Sequence, residues 1–279
     1  RFYTVAFYFV SRFVQLLLFI LQGIQLVVSS PLLQQLLVVA LLHDLAVGQE
    51  NDVVRVLDGA EAVCNDQHGA DVLHLLQRIL DQQLRFPMLR QQHPSAPGAP
   101  NLCLADFIRP LAHGEKDQIG VFCSTVDGEI MDAYRHDDYL NMLAQTLSDR
   151  LAEATAEKLH EEVRKTYWGY APDEHLTIEQ QHREEYQGIR PAIGYPSLPD
   201  TSANFLIDQL LDMKLVGIRL TESGMMTPHA SVSGLMFAHP MARYFELGKI
   251  GDDQLRDYAR RRGVPMELMK RFLQSSLLK

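Results

Sequence analysis

The run from Asp137 to Thr166 constrains the fold of this chain more than any other stretch. Leu140, Leu143, Leu147, Leu151 and Ala154 recur there at three- and four-residue steps, which predicts a long amphipathic helix with one apolar stripe. Trp168-Gly169-Tyr170-Ala171-Pro172 stops it, because glycine and proline do not continue a helix cheaply. A helix of this kind needs a second layer to cover its stripe. Ile119 to Val126 (IGVFCSTV) supplies a strand, closed by Asp127-Gly128. Ile218 to Glu222, Ala230 to Phe237 and Arg243 to Leu247 carry strand character as well. Short helices are predicted from Thr177 to Tyr186, with Thr177 as N-cap, and from Asn204 to Leu211. Two more follow at Asp252 to Arg262 and Pro265 to Leu273, where proline suits the first turn. The order of elements reads as α+β, a compact domain with a twisted antiparallel sheet flanked by helices.

The text before residue 95 is of another kind. Val5 to Val28 is apolar enough to span a bilayer at roughly 20 residues, but Arg12, Gln15, Gln22 and Gln25 interrupt it, so a membrane role is not favoured. Pro31 to Leu42 has the length of a buried helix, and neither run has the basic start and small-residue cleavage site of a signal peptide. Residues 48 to 93 read as weakly helical, with Val72, Leu75, Leu76, Ile79 and Leu80 in helical spacing. Asp66-Gln67-His68-Gly69 reads as a polar turn. His93 to Pro100 (HPSAPGAP) reads as a linker. The domain boundary is therefore placed there: residues 1–94 as an unassigned apolar and weakly helical segment (a fusion, a misread frame or a membrane segment), and residues 95–279 as the domain. A net charge of −9 argues against a nucleic-acid binder. Three cysteines, Cys64, Cys103 and Cys123, without a C-x-x-C spacing, read as buried thiols in a reducing, cytoplasmic setting.

Chemistry concentrates at Arg190 to Pro196 (RPAIGYP). A guanidinium keeps its charge at any working pH and grips a carboxylate with paired hydrogen bonds. Gly194 lets a ligand approach the main chain, and Tyr195 offers a π-face and a hydroxyl. Pro191 and Pro196 limit how far the loop relaxes. Asp149, Glu153, Glu157 and Glu161 fall four apart and form a row of carboxylates on the long helix. That row reads either as a solvated face or as a docking edge. Ser231 and Ser233 share one face of a strand, suited to lining a groove. His229 and His239 lack partners at metal-ligand spacing, so neither a metal site nor a protein nucleophile is proposed.

Several phrases occur in an order that resembles the activation domain of cobalamin-dependent methionine synthase. They are LCLADFIRP (Leu102 to Pro110), Asp137-Asp138-Tyr139, LSDRLAEATAEKLHEEVRKTYWGY (Leu147 to Tyr170), YQGIRPAIGYP (Tyr186 to Pro196), LTES (Leu220 to Ser223), ASVSG (Ala230 to Gly234), His239-Pro240 and DYARRRG (Asp257 to Gly263). The resemblance implies a domain that binds S-adenosylmethionine beside a cobalamin module and supports the remethylation of oxidised cofactor, with a flavodoxin-like flavoprotein as electron donor. It implies that Arg190 meets the ligand carboxylate, that Gly194 and Tyr195 border the ligand, and that Tyr244 and Phe245 are the adjacent aromatics of the site. Glu153 and Glu184 match acidic positions close to it. Asp149 and Glu153 match the helix face that meets the cobalamin module. The chain departs from the family where an aspartate upstream of LCLADF belongs, and Leu198-Pro199-Asp200 lacks the histidine that follows the loop. The homocysteine, folate and cobalamin modules have no counterpart in this sequence. The alternative expectation is a stand-alone, non-catalytic interaction module of the same fold.

Overall fold

The computed structural model describes residues 45–50, 53–56, 85–114 and 117–278. The apolar runs 5–28 and 31–42, the turn 66–69, the helical pattern 72–80 and Cys64 lie outside the described residues. Five strands form one sheet: β1 Leu45–Glu50, β2 Val53–Val56, β3 Arg85–Pro87, β4 Asp117–Thr125 and β7 Ser231–Met236. Their order is β3-β2-β1-β4-β7, and every pair is antiparallel. β5 Arg219–Leu220 and β6 Met226–Thr227 make a separate two-stranded ribbon. The weakly helical reading of 48–93 is thus corrected at β1, β2 and β3. Three of the four residues of β2 are valine, whose branched side chain favours the pleated strand; β1 and β2 are neighbours in sequence, but their outer partners β4 and β3 lie far away in it. Residue 95 lies between β3 and β4.

β4 and β7 are buried on both faces. Ile119, Val121, Cys123, Leu235 and Phe237 face one core, which takes in Ile207, Leu210 and Leu211 of helix α4 (Ala203–Leu211). Phe122, Val232 and Met236 face the other core, together with Ala156, Leu159 and Val163. The second layer is the long helix, α2 (Asp138–Glu162), which follows the single-turn helix α1 (Glu129–Asp132). Asp137 caps α2 by accepting the Leu140 amide at 3.0 Å. A π-turn over Val163–Tyr167 ends it, and Gly169 turns away at φ 64°. Thr177 caps α3 (Ile178–His182) through a capping box with Gln180. α5 (Asp252–Arg262) and α6 (Met266–Phe272) close a third core with Leu89, Leu247 and Ile250.

Three expectations are corrected. The stripe predicted at Leu140, Leu143 and Leu147 points outward; these residues are 37, 47 and 56% exposed. α2 instead buries Ala144, Ser148, Ala152, Thr155 and Ala156. Small side chains let the helix axis come close to a sheet whose own Phe122 and Met236 fill the space. Arg243 to Leu247 is no strand: Phe245 and Leu247 are buried and Glu246 is not, yet among the described residues its one main-chain to main-chain bond is Leu247 N–H to Pro196 O at 3.1 Å. The serines line no groove. Ser233 donates to Asn204 Oδ1 inside the first core, and Ser231 lies 2.7 Å from Thr125 Oγ1. Cys103 and Cys123 are buried, and burial pushes the Cys123 thiol up to about 12.

Candidate functional site: the Arg190 recess

Residues 189–193 lie along the free edge of β7. Ile189 exchanges both main-chain bonds with Phe237 at 2.9 Å, Leu235 N–H donates to Pro191 O at 3.1 Å, and Ile193 N–H donates to Ser233 O at 2.9 Å. Two glycines permit this contact. A Cβ on Gly234 would sit 2.3 Å from Pro191 O, and one on Gly188 (φ 82°) would sit 2.4 Å from Phe237 O. The segment then breaks into an exposed turn at Gly194 (φ 89°), where nothing lies within 4 Å of a built Cβ.

This placement aims Arg190 back over the α2 side of the sheet. Its side chain is only 12% exposed. The guanidinium carbon stands 5.7 Å from the centre of the Phe122 ring, and Nη2 donates to Glu157 Oε1 in a short contact. Arg190 Nε is buried and has no partner among the described residues. The Arg190 amide donates to the Tyr244 hydroxyl at 2.9 Å. The Tyr186 hydroxyl lies in the neighbourhood of the Tyr244 hydroxyl. Burial pushes both phenols above their ordinary range.

Behind Tyr186 lies a buried cationic support. Arg164 sits 4.3 Å above the Tyr186 ring and is held by Glu174 through two bonds of 2.7 Å, with side chains 1 and 8% exposed. His160 packs edge-on to Tyr186 at 5.1 Å. Burial first, and then the charges of Arg164 and Arg190, hold the His160 imidazole well below its usual range, so it is neutral at physiological pH.

The acidic residues separate into two groups. Glu184 adopts φ 56°, and its carboxyl is raised by burial and then by repulsion from Glu157, the carboxylate that pairs with Arg190. Glu153, one turn before Glu157 on α2, pairs with Arg150 at 2.7 Å on the surface. Asp149 lies 3.2 Å from His229 Nδ1, a further turn away. Tyr195 is 52% exposed at the tip of the turn. Phe245 is buried in the first core, behind the position of Tyr244. The site residues that sequence reasoning missed are Glu157, Tyr186 and Phe122. Glu157 was visible only as one member of the carboxylate row, and nothing local marks Phe122 as the floor under a guanidinium.

Among the described residues, no group of His, Cys, Asp or Glu is positioned to hold a metal ion, and no helix is long and apolar enough to cross a membrane. The fold and recess define a class: an α+β domain that presents a buried guanidinium, two carboxyls and aromatic rings at a sheet edge. The same architecture occurs in the crystal structure of the MetH reactivation domain bound to AdoHcy. That domain is 36% identical, matches with a TM-score of 0.74, and is aligned over 95% of this chain and 75% of that one. The chain belongs to the family described as vitamin B12 dependent methionine synthase, activation domain, which matches residues 49–263.

Proposed function

We propose that this chain binds S-adenosylmethionine in the Arg190 recess and supports reductive remethylation of cobalamin held by a neighbouring module of methionine synthase. The observation that carries the reading is the buried Arg190 guanidinium with its Nε unpartnered among the described residues. A ligand carboxylate answers that group, and Glu157 occupies only one corner of it. The ammonium and sulfonium then meet Glu184 and Glu157, with Glu153 one turn further along. Gly194 leaves room for approach to the main chain, and Tyr195 and Tyr244 offer rings for the adenosyl end, with Phe245 backing Tyr244 from the core. The AdoHcy bound by the related reactivation domain is what S-adenosylmethionine becomes after giving up its methyl group.

No protein nucleophile is needed for this role. Cobalamin held by the neighbouring module, once reduced by a flavodoxin-like protein, would supply the nucleophile for the methyl group, and the sulfonium would leave as the neutral thioether. This chain's residues hold the donor in position and screen its charges. Asp149, Glu153 and the exposed Tyr139, Met142, Leu143 and Leu147 share the outer side of α2, a mixed apolar and acidic surface suited to docking that module. The buried Cys123 thiol fits a cytoplasmic setting.

Calorimetry with S-adenosylmethionine on the whole chain tests the reading. A charge-assisted pair is worth about 1.5–3 kcal/mol, so Arg190→Ala is expected to weaken binding roughly 10- to 100-fold. Equal affinity in parent and variant, or no binding by the parent, would overturn it.

A further inference from the structure

Two phrases of the sequence have no part in the recess: Leu198-Pro199-Asp200, which follows the ligand loop, and DYARRRG (Asp257 to Gly263), most of which lies in α5. The fold brings them together. Asp200 is 1% exposed, and both of its side-chain oxygens are engaged. Oδ1 accepts the Ser202 amide at 2.9 Å. Oδ2 accepts the Tyr258 hydroxyl at 2.8 Å and stands 3.3 Å from Arg262 Nε. Arg262, its side chain 7% exposed, reaches on to Ser202, where Nη2 donates to Oγ at 2.8 Å and to the carbonyl at 3.2 Å. Burial first, and then the Asp200 charge, hold the Tyr258 phenol well above its ordinary range, so it remains a donor.

The exposed part of the ligand loop is short. Gly194, Tyr195 and Pro196 face solvent, while residues 191–193 and 197–200 on either side are buried. At the entry, Ile193 N–H donates to Ser233 O at 2.9 Å. Across the turn, Gly194 N–H donates to Leu198 O at 2.8 Å, and Leu198 N–H donates to Tyr195 O at 2.9 Å. Leu198 therefore holds the turn through both of its main-chain groups. Pro199, with its fixed φ, is the single residue between Leu198 and Asp200, so a shift of Asp200 reaches Gly194 and Tyr195 through one stiff link. A buried ion pair is a weak source of stability, because desolvation offsets its attraction. What this one supplies is a fixed direction for the chain at the end of the loop.

We infer that Asp200, Tyr258 and Arg262 are positioning residues for S-adenosylmethionine. They form a buried latch between the loop exit and α5 that keeps Gly194 and Tyr195 in their binding arrangement before the ligand arrives, which lowers the ordering cost of binding. The inference rests on the reading of the Arg190 recess as the S-adenosylmethionine site.

The test is Tyr258→Phe in the whole chain, which removes one hydroxyl and keeps the ring in its core. Calorimetry well below the melting temperature is expected to show S-adenosylmethionine affinity weakened roughly 3- to 10-fold. Amide hydrogen exchange is expected to quicken at Gly194 and Leu198 while the amides of β4 and β7 keep their rates. Asp200→Asn keeps an oxygen acceptor but drops the charge facing Arg262, and should weaken binding at least as much. Met269→Leu is the control, a volume-conserving change in the core that Tyr258 shares. It is expected to leave affinity and loop exchange as they are. The inference is overturned if Tyr258→Phe, or a folded Asp200→Asn, binds and exchanges like the parent, or if Met269→Leu weakens binding as much. Arg190→Ala separates the two claims. If it weakens binding and Tyr258→Phe does not, the latch fails and the recess stands; no S-adenosylmethionine binding by the parent removes both.

Discussion

Gly234→Ala links the fold to the recess in one substitution. The added methyl would lie 2.3 Å from Pro191 O, 2.8 Å from Phe122 Cε1 and 3.0 Å from Ala192 Cα. A relaxed carbon–oxygen contact is about 3.3 Å, so the 190–193 segment must move by about 1 Å. Overpacking of this kind costs about 1–3 kcal/mol. Loss of the Leu235–Pro191 and Ile193–Ser233 bonds adds about 1 kcal/mol each. The entropy gain from replacing glycine offsets about 0.5–1 kcal/mol. A net loss of about 2–4 kcal/mol follows, or roughly 4–16 °C in melting temperature for a domain of this size. Because Pro191 carries Arg190 with it, S-adenosylmethionine affinity should fall in parallel. Gly194→Ala is the control for stability alone: its φ of 89° costs about 1 kcal/mol, but it meets no neighbour within 4 Å. Thermal melting and calorimetry on the three proteins decide the matter. If Gly234→Ala melts and binds like the parent, the segment is not pinned to β7 as described.

Two further outcomes are expected. Glu174→Gln leaves the buried Arg164 without its counter-charge and should cost about 3 kcal/mol in urea unfolding, whereas a loss of only a few tenths would show that the pair is not desolvated. Glu184 holds its proton to higher pH in the folded chain than in the unfolded one, so its contribution to stability is lost as pH rises from the ordinary carboxyl value through the raised one. A cationic ligand prefers the ionised form, so S-adenosylmethionine affinity should rise with pH across the same window, with proton release. Calorimetry in buffers of different ionisation enthalpy measures that release, and a pH dependence that survives Glu184→Gln would assign it elsewhere.

Much of the secondary structure was legible because its signals are local. Thr177 caps its helix and α5 runs from Asp252 to Arg262 as read, β7 falls inside its predicted run, and β4 overlaps its run but starts two residues earlier, at Asp117. The phase of α2 was misread for a physical reason. Leucine spacing records where large apolar groups lie, but a helix that must approach a sheet closely buries its smallest face. Arg243 to Leu247 failed similarly: alternating burial came from core contacts without a ladder beside it. At the recess, Arg190 stood out by its own charge and its proline-bounded loop. Glu157 and Tyr186 were hidden, because their importance depends on which turn of α2 and which rung of β7 face each other.

From the order of residues alone came the elements, the glycines that permit turns, and the cation bound to one short loop. Those depend on backbone sterics and charge, which neighbouring residues already specify. The packing of distant segments decided the rest. Whether Arg190 is exposed or sunk over Phe122 and which carboxylate meets it follow from desolvation and distance, and these arise only when residues far apart in the chain are brought within a few ångströms.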